Sequence, residues 1–269
     1  MRIFGFDLED TQLTSEEQAY LEPWRSSTPP SLESIWAAMD KVWDDVWASG
    51  LATEHKMEAF YRHPVWLLNG IFTEVDPVST GHRDAISRYI SSLRPAQVCD
   101  YGGGFGALAR RIATLLPQTR IVVIEPYPHP AARALAMQHP NLTYAEEQPD
   151  HADVVIAQDV LEHVSSPIEL TARLALMLRK EGILIAASCF QPVIKCHLPE
   201  TFHLLQSYRH VVAPLGLDFC QTIPGAEHAE VFRRNAASAN LPRALRREQA
   251  SRMLSPLSHK LQRWVTRTI

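Results

Sequence analysis

The chain has no paired cysteines, no long apolar run, no internal repeat and little net charge, and each absence removes a class of protein. Its four cysteines (Cys99, Cys189, Cys196 and Cys220) stand apart, with no Cys-x-x-Cys pair. That argues against a structural zinc site or a disulfide framework and suits a reducing compartment. No apolar stretch approaches the roughly 18 residues that a membrane span needs. Met1–Asp10 turns acidic before the core of a signal peptide can form, so a cytoplasmic location is expected. A formal net charge of −4 over 269 residues offers no basic excess to mark nucleic acid as a partner. What remains is an ordinary soluble composition, 46% hydrophobic and 21% charged, long enough for one large domain or one domain with an appendage.

The charge is unevenly spread. Residues 1–50 hold ten acidic and three basic residues, whereas 235–269 hold seven basic and one acidic. The two ends either attract each other or face different partners. Residues 1–30 are polar, end in Ser-Ser-Thr-Pro-Pro, and read as an irregular arm. Ser31 or Ser34 then caps a helix that runs to Ala48. Ile35, Met39, Val42 and Val46 make one stripe on it, and Trp36, Trp43 and Trp47 a neighbouring one. The helix either packs on the main domain or walls an acceptor pocket with its tryptophans. Residues 54–74 are helical with a break at His63-Pro64, because proline restricts the residue before it and removes a donor. After a turn at Asp76–Ser79, Ser79 is expected to cap a helix through Ile90.

From Gln97 strands and helices alternate. Strands are expected at Val98–Asp100, Ile121–Glu125, Leu142–Ala145, Ala152–Ala157 and Gly182–Ser188, with helices at Ala107–Leu116, Ala131–Gln138, Pro167–Leu178 and Thr201–Leu215. Leu217–Thr222 and Glu230–Arg233 form a closing pair. Apolar strands between helices imply a parallel sheet covered on both faces. The fold class is α/β: a Rossmann-like doubly wound sheet, mostly parallel with an antiparallel closing strand, plus an N-terminal helical cap. The divisions are an arm and cap over 1–94, a ligand-binding domain over 95–235 and a basic amphipathic tail over 236–269.

Between the first strand and its helix the chain reads Asp100-x-Gly102-x-Gly104-x-Gly106. Glycines in a strand–turn–helix let backbone approach a nucleotide-like ligand where any Cβ would clash. Glu125 ends the second strand, nineteen residues beyond Gly106, where an acid can accept both hydroxyls of a ribose. That position serves dinucleotide-binding folds equally. A third motif separates the classes: residues 157–167 read Ala-Gln-Asp-Val-Leu-Glu-His-Val-Ser-Ser-Pro. Together the three closely resemble class I S-adenosylmethionine-dependent methyltransferases, in the branch with an Asp-Val-Leu-Glu-His-Val signature, over residues 95–235.

The resemblance implies S-adenosylmethionine as cofactor and S-adenosylhomocysteine as product. It implies that Asp100, Gly102, Gly104 and Gly106 line the methionine end, that Glu125 holds the ribose, and that Gln158 and Asp159 lie beside the sulfonium. Glu146, after the third strand, is a candidate for adenine. Methyl transfer itself is mainly a matter of alignment, but an alcohol acceptor needs its proton taken. His163 is a candidate base because it follows the fourth strand and histidine titrates near neutral pH; the alternative is that Glu162 and His163 hold the loop in place. His197 is a second candidate base, on the loop after the fifth strand with His203. The spacing there matches no trusted metal motif, and no metal is expected. His228, before the last strand, is a further candidate for the pocket edge. Tyr61 or Trp66 is placed to close over the cofactor; the alternative is that Phe60, Trp66 and Phe72 pack as a core.

These residues predict O-methylation of a hydroxyl on a sugar, glycoconjugate or small metabolite. The alternatives are C-methylation of a quinone-like or polyketide-like ring, and a cofactor-binding subunit that methylates nothing alone. Leu254, Leu257, Leu261, Trp264 and Val265 share one face of the tail, which either touches an anionic membrane at the inner face or packs on its own domain or on a second subunit in a homo-oligomer.

Overall fold

The computed structural model describes the backbone of residues 1–265 and the side chains of residues 1–53 and 55–255. Strands β1 (Arg2–Ile3) and β2 (Phe6–Asp7) pair as a small antiparallel hairpin. Its turn stands on two residues with left-handed backbone, Phe4 and Gly5. Helix α1 (Ser15–Leu21) follows, opened by a reciprocal capping box between Thr14 and Glu17. Residues 1–30 are therefore not an irregular arm: Ile3, Phe4, Leu8, Leu13 and Leu21 are all buried in one cluster with the helices behind them. Those apolar residues recur at neither helical nor strand period, which is why pattern alone reads them as irregular.

Helices α2 (Leu32–Ala48), α3 (Thr53–Arg62), α4 (Val65–Val75) and α5 (Pro77–Leu93) come next. Ser31 caps α2 as expected, accepting from the Ser34 amide, and the α3/α4 break falls at His63-Pro64. The cap of α5 is Asp76, whose carboxylate accepts from the Ser79 amide at 2.7 Å. Ser79 is thus the donor at the third helical position rather than the cap, because Pro77 fits the first turn and carries no N–H to satisfy. On α2, Ile35, Met39 and Val42 are buried, and Trp43 stacks on Trp47 at 3.6 Å and meets Phe60 edge-on. Trp43 and Trp47 of the tryptophan stripe belong to the cap's own core.

The sheet contains β3 (Gln97–Tyr101), β4 (Arg120–Ile124), β5 (Leu142–Ala145), β6 (Ala152–Gln158), β7 (Leu178–Ala187), β8 (Leu217–Ile223) and β9 (Ala226–Arg234). Their order is β5-β4-β3-β6-β7-β9-β8. The first five are mutually parallel and the β8–β9 hairpin is antiparallel. Alternate side chains feed opposite faces. Ile121 and Val123 of β4 join α5 and α6 (Ala107–Leu115) on one face, through Ile86, Ile90, Leu108 and Ile112. Val122 and Ile124 face the other side, where α8 (Pro167–Met177) and α9 (Tyr208–Val212) supply Leu170, Leu174, Val211 and Val212. Helix α7 (Pro130–Ala136) links β4 to β5. The expected helix over Thr201–Leu215 is broken into tight turns at Pro199–Leu205 and Ala213–Leu215 around α9; at the second turn Pro214 has no N–H to continue a helix.

Helix α10 (Leu241–Val265) lies against the α8/α9 face. Ala244 is buried there, Arg247 donates to the His210 carbonyl at 2.7 Å, and Ser251 meets Ser207 at 2.6 Å. Leu254 is exposed; the side chains of Leu257, Leu261, Trp264 and Val265 lie outside the described residues. Among the described residues, no helix is long and apolar enough to cross a membrane.

Candidate active site

Because β3, β4, β6 and β7 are parallel, their C-terminal ends share one edge, and the residues just beyond them converge. That edge holds a cavity of about 630 Å³. Asp100, Gly102, Gly104, Gly106, Glu125, Gln158, Asp159 and His163 all line it. Glu146 does not, and the adenine role expected of it lapses; the cavity wall after β4 is built instead from Pro126, Tyr127, Pro128 and His129.

Asp100 is 2% exposed, and its Oδ2 has no hydrogen-bond partner. Burial, and then the neighbouring Glu125, push its carboxyl up to about 7. A buried acceptor left without a donor is rare and costly, so this oxygen is set for a partner the chain does not supply. Gly103, which the motif leaves as an unspecified position, makes that room: a Cβ there would sit 2.7 Å from Asp100 Oδ2 and 2.9 Å from Val123 Cγ1. Gly104 has φ +51°, and a Cβ on it would point into open space, toward whatever fills the cavity. The Gly104 N–H donates to Glu125 Oε2 at 3.0 Å, and Tyr127 N–H donates to Oε1 at 3.2 Å. Each carboxylate oxygen keeps a second acceptor site. Burial raises the Glu125 carboxyl, against the lowering by those two amides.

Arg83, on α5, also lines the cavity although sequence reasoning passed over it. It is 6% exposed and its Nη2 is buried without a partner. The acid nearest in charge, Glu74, is held by Arg110. Burial lowers the Arg83 pKa, but a guanidinium stays charged, so it presents an unsatisfied cation to the cavity.

The opposite wall comes from the cap. Tyr61 and Trp66 are tilted against each other at 4.9 Å and meet the His163 ring edge-on at 6.5 and 6.1 Å. Both line the cavity, and Tyr61 Oη and Trp66 Nε1 are buried without partners. Phe60 and Phe72 are wholly buried, as a core reading expects; Trp66 is not part of that core alone. Glu17 of α1 reaches His129 at 2.9 Å, and both line the same cavity. Lys195, on the loop after β7, joins α2 through its amide to Asp40 at 2.7 Å and its ammonium to Asp44 at 2.5 Å.

His163 and His197 are brought together, their rings 4.9 Å apart and near perpendicular. His163 lines the cavity, and His197 stands behind it. Each has Nδ1 at a carbonyl: His163 at Cys196 (3.0 Å) and His197 at Gln191 (2.8 Å). Nδ1 therefore carries the proton in both, and Nε2 is left with its lone pair. Burial, then the neighbouring His197, push His163 down to about 3, and burial lowers His197 too. Glu162, fully buried, completes the cluster. Its Oε1 accepts from the Cys189 amide at 2.6 Å, and its Oε2 has no partner. Burial, then the charge of Asp159, raise the Glu162 carboxyl, against lowering by the Cys189 and Glu162 amides and the Ser188 hydroxyl. Asp159 holds a left-handed backbone at φ +53°, an unusual conformation that cuts the strand off abruptly at the site. His203 belongs elsewhere: its ring is bound to Ser251 and Arg252 of α10. His228 pairs with His82, ring centroids 4.6 Å apart, and neither lines the cavity.

A family model for a methyltransferase domain matches residues 80–235. An O-methyltransferase family protein from Burkholderia thailandensis is structurally similar, with 18% identity, a TM-score of 0.57, and 82% of this chain and 77% of that one covered. CurJ carbon methyltransferase is similar with 12% identity, a TM-score of 0.58 and coverage of 86% and 73%. So is the 1,6-didemethyltoxoflavin-N1-methyltransferase of Burkholderia thailandensis, bound to 1,6-didemethyltoxoflavin and S-adenosylhomocysteine, with 16% identity, a TM-score of 0.50 and coverage of 70% and 92%. At such identities the likeness is one of fold, and by name these proteins modify oxygen, carbon and nitrogen. No curated protein matches the sequence.

Proposed function

The chain belongs to the class I S-adenosylmethionine-dependent methyltransferases, and we propose that it methylates a hydroxyl oxygen of a small acceptor: a sugar, a glycoconjugate or another hydroxylated metabolite. The observation that carries this reading is the Glu162–His163–His197 cluster beside the cavity. An oxygen acceptor brings a proton that must be oriented and released, and this is where the chain gathers groups able to do so.

The cavity fits the cofactor. Asp100 Oδ2, buried and unpartnered, suits the cationic amino group, and Arg83 suits the carboxylate. Glu125 has the spare acceptor sites for two ribose hydroxyls, and Gln158 and Asp159 flank the sulfur end. When bound, S-adenosylmethionine supplies a methyl group on a positively charged sulfur, already electrophilic. The chain's own part is placement. The Tyr61–Trp66 wall gives a ring-shaped acceptor an apolar face with two unsatisfied donors at its edge. His163 Nε2 accepts from the acceptor hydroxyl and orients it. His197 is a positioning residue that packs on His163 and holds its own loop through Gln191. Residues 1–94 close the acceptor side and lend Arg83 to the cofactor, 95–235 supply the rest of the cofactor's contacts, and the basic tail at 236–269 fits an acceptor that is lipid-linked.

The test is transfer of an isotopically labelled methyl group from the cofactor, by the full chain, to a panel of hydroxylated sugars and phenols. The expected product carries the label as a methoxyl, identified by mass and carbon chemical shift. Label on carbon or nitrogen, or no transfer by a chain that binds S-adenosylhomocysteine, would overturn the reading.

A further inference from the structure

We propose that Glu162, His163 and His197 form a binding site for a single divalent first-row metal ion such as Mn²⁺, Fe²⁺, Co²⁺ or Zn²⁺. One ligand atom from each residue lies within 4.8 Å of the others. Ligands about 2.1 Å from a tetrahedral ion stand roughly 3.4 Å apart, so modest side-chain rotations close the set. The donors are of a consistent kind: two imidazoles and one carboxylate, a combination that binds such ions with positions left open.

Independent observations within the cluster point to a cation. Glu162 is wholly buried with Oε2 unsatisfied, and no lysine or arginine forms an ion pair with it among the described residues. A buried carboxylate without a counter-charge is strongly disfavoured, and a metal ion removes that penalty. Both imidazoles donate Nδ1–H to backbone carbonyls, Cys196 and Gln191. That is the outer arrangement that orients metal-bound histidines and turns Nε2 toward the ion. Spacing concealed the site because 34 residues separate His163 from His197. They meet because the Leu198 amide donates to the Glu162 carbonyl at 2.9 Å, drawing the loop after β7 onto the turn after β6.

The ion's role rests on the methyl-transfer reading; its binding does not. His163 borders the cavity; with its Nε2 lone pair on the ion, the direct hydrogen bond from the acceptor hydroxyl is replaced by an open coordination position that takes that hydroxyl. Coordination lowers the pKa of a bound hydroxyl group. The hydroxyl proton passes to solvent. The oxygen forms its new bond to the methyl carbon as the sulfur–carbon bond breaks, and that bond's electron pair stays on sulfur.

The test is direct metal binding. The full chain is stripped with chelator, then titrated with Co²⁺ or Zn²⁺ in the absence of acceptor, by calorimetry and by Co²⁺ visible absorption. One equivalent per chain is expected. Glu162→Gln, His163→Asn and His197→Gln should each weaken binding at least tenfold, while exposed His210→Ala leaves it unchanged. S-adenosylhomocysteine titration and circular dichroism on each variant report whether the fold and cofactor site persist. Substoichiometric binding, or one equivalent held equally well by all three variants, overturns the metal site. A variant that loses S-adenosylhomocysteine binding is replaced in the comparison by the other two. Loss of cofactor binding by the unaltered chain would instead overturn the methyltransferase reading, leaving the metal result to stand on its own.

Discussion

Replacing Asp100 by Asn separates two consequences of burying a carboxylate for a ligand. The side chain is 2% exposed and its carboxyl is raised from 3.8 to about 7. A shift of about three units corresponds to about 4 kcal/mol between the charged and neutral forms. The folded-state pKa lies above the unfolded one, so protonated Asp100 is harmless to the fold. The destabilisation is absent below pH 3.8, grows between pH 3.8 and about 7, and is complete above that. Without cofactor, the Asn variant should therefore match the unaltered protein near pH 4 and exceed it in stability by up to about 4 kcal/mol at pH 8, read by urea unfolding. Cofactor affinity moves the opposite way. Loss of a charge-assisted hydrogen bond of about 2–3 kcal/mol weakens S-adenosylhomocysteine roughly 30- to 150-fold at pH 7. With a pKa of about 7, the ionised fraction falls from about one half at pH 7 to about one eleventh at pH 6. Affinity of the unaltered protein should then fall about fivefold over that unit, and the variant should show no such slope. Calorimetric titrations at both pH values suffice. A variant that binds within about twofold of the parent at pH 7, or that keeps the fivefold slope, would refute the assignment.

Gly103→Ala forces a Cβ to 2.7 Å from Asp100 Oδ2 and 2.9 Å from Val123 Cγ1. A loss of about 1–3 kcal/mol of stability is expected, visible as a lower urea midpoint, together with weaker S-adenosylhomocysteine binding. Arg83→Gln should lower S-adenosylhomocysteine affinity on the order of ten- to a hundredfold while barely changing affinity for 5′-methylthioadenosine, which has no carboxylate; equal losses for both ligands would remove Arg83 from that role. Trp66→Ala should raise the acceptor KM about tenfold or more with cofactor affinity nearly intact, measured by steady-state transfer assays. An unchanged KM would show that the acceptor does not use the Tyr61–Trp66 wall.

The alternation of apolar strands with helices, the glycine turn and Glu125 were legible because they are local. A parallel sheet puts every strand's C-terminal end on one edge, so Asp100, Glu125, Gln158 and Asp159 had to meet once the strands were identified. The N-terminal hairpin was not legible. Ile3, Phe4 and Leu8 follow no strand period, and only the cap's shared core gives them a reason to order. Gly103 was hidden inside the motif, although a run of three glycines is itself a sign that backbone must pass close to something.

Taken alone, the sequence determined the sheet, the ligand-binding edge and the family, since those depend on period, turn chemistry and short motifs. Only the tertiary structure decided what faces the cavity from outside that stretch. Arg83 reaches it from a helix that precedes the first strand of the sheet. Tyr61 and Trp66 line it while Trp43 and Trp47 stack on each other in the cap. His197 meets His163 through one loop-closing backbone hydrogen bond. Each of these contacts is set by packing between segments distant in the chain, which residue spacing does not encode.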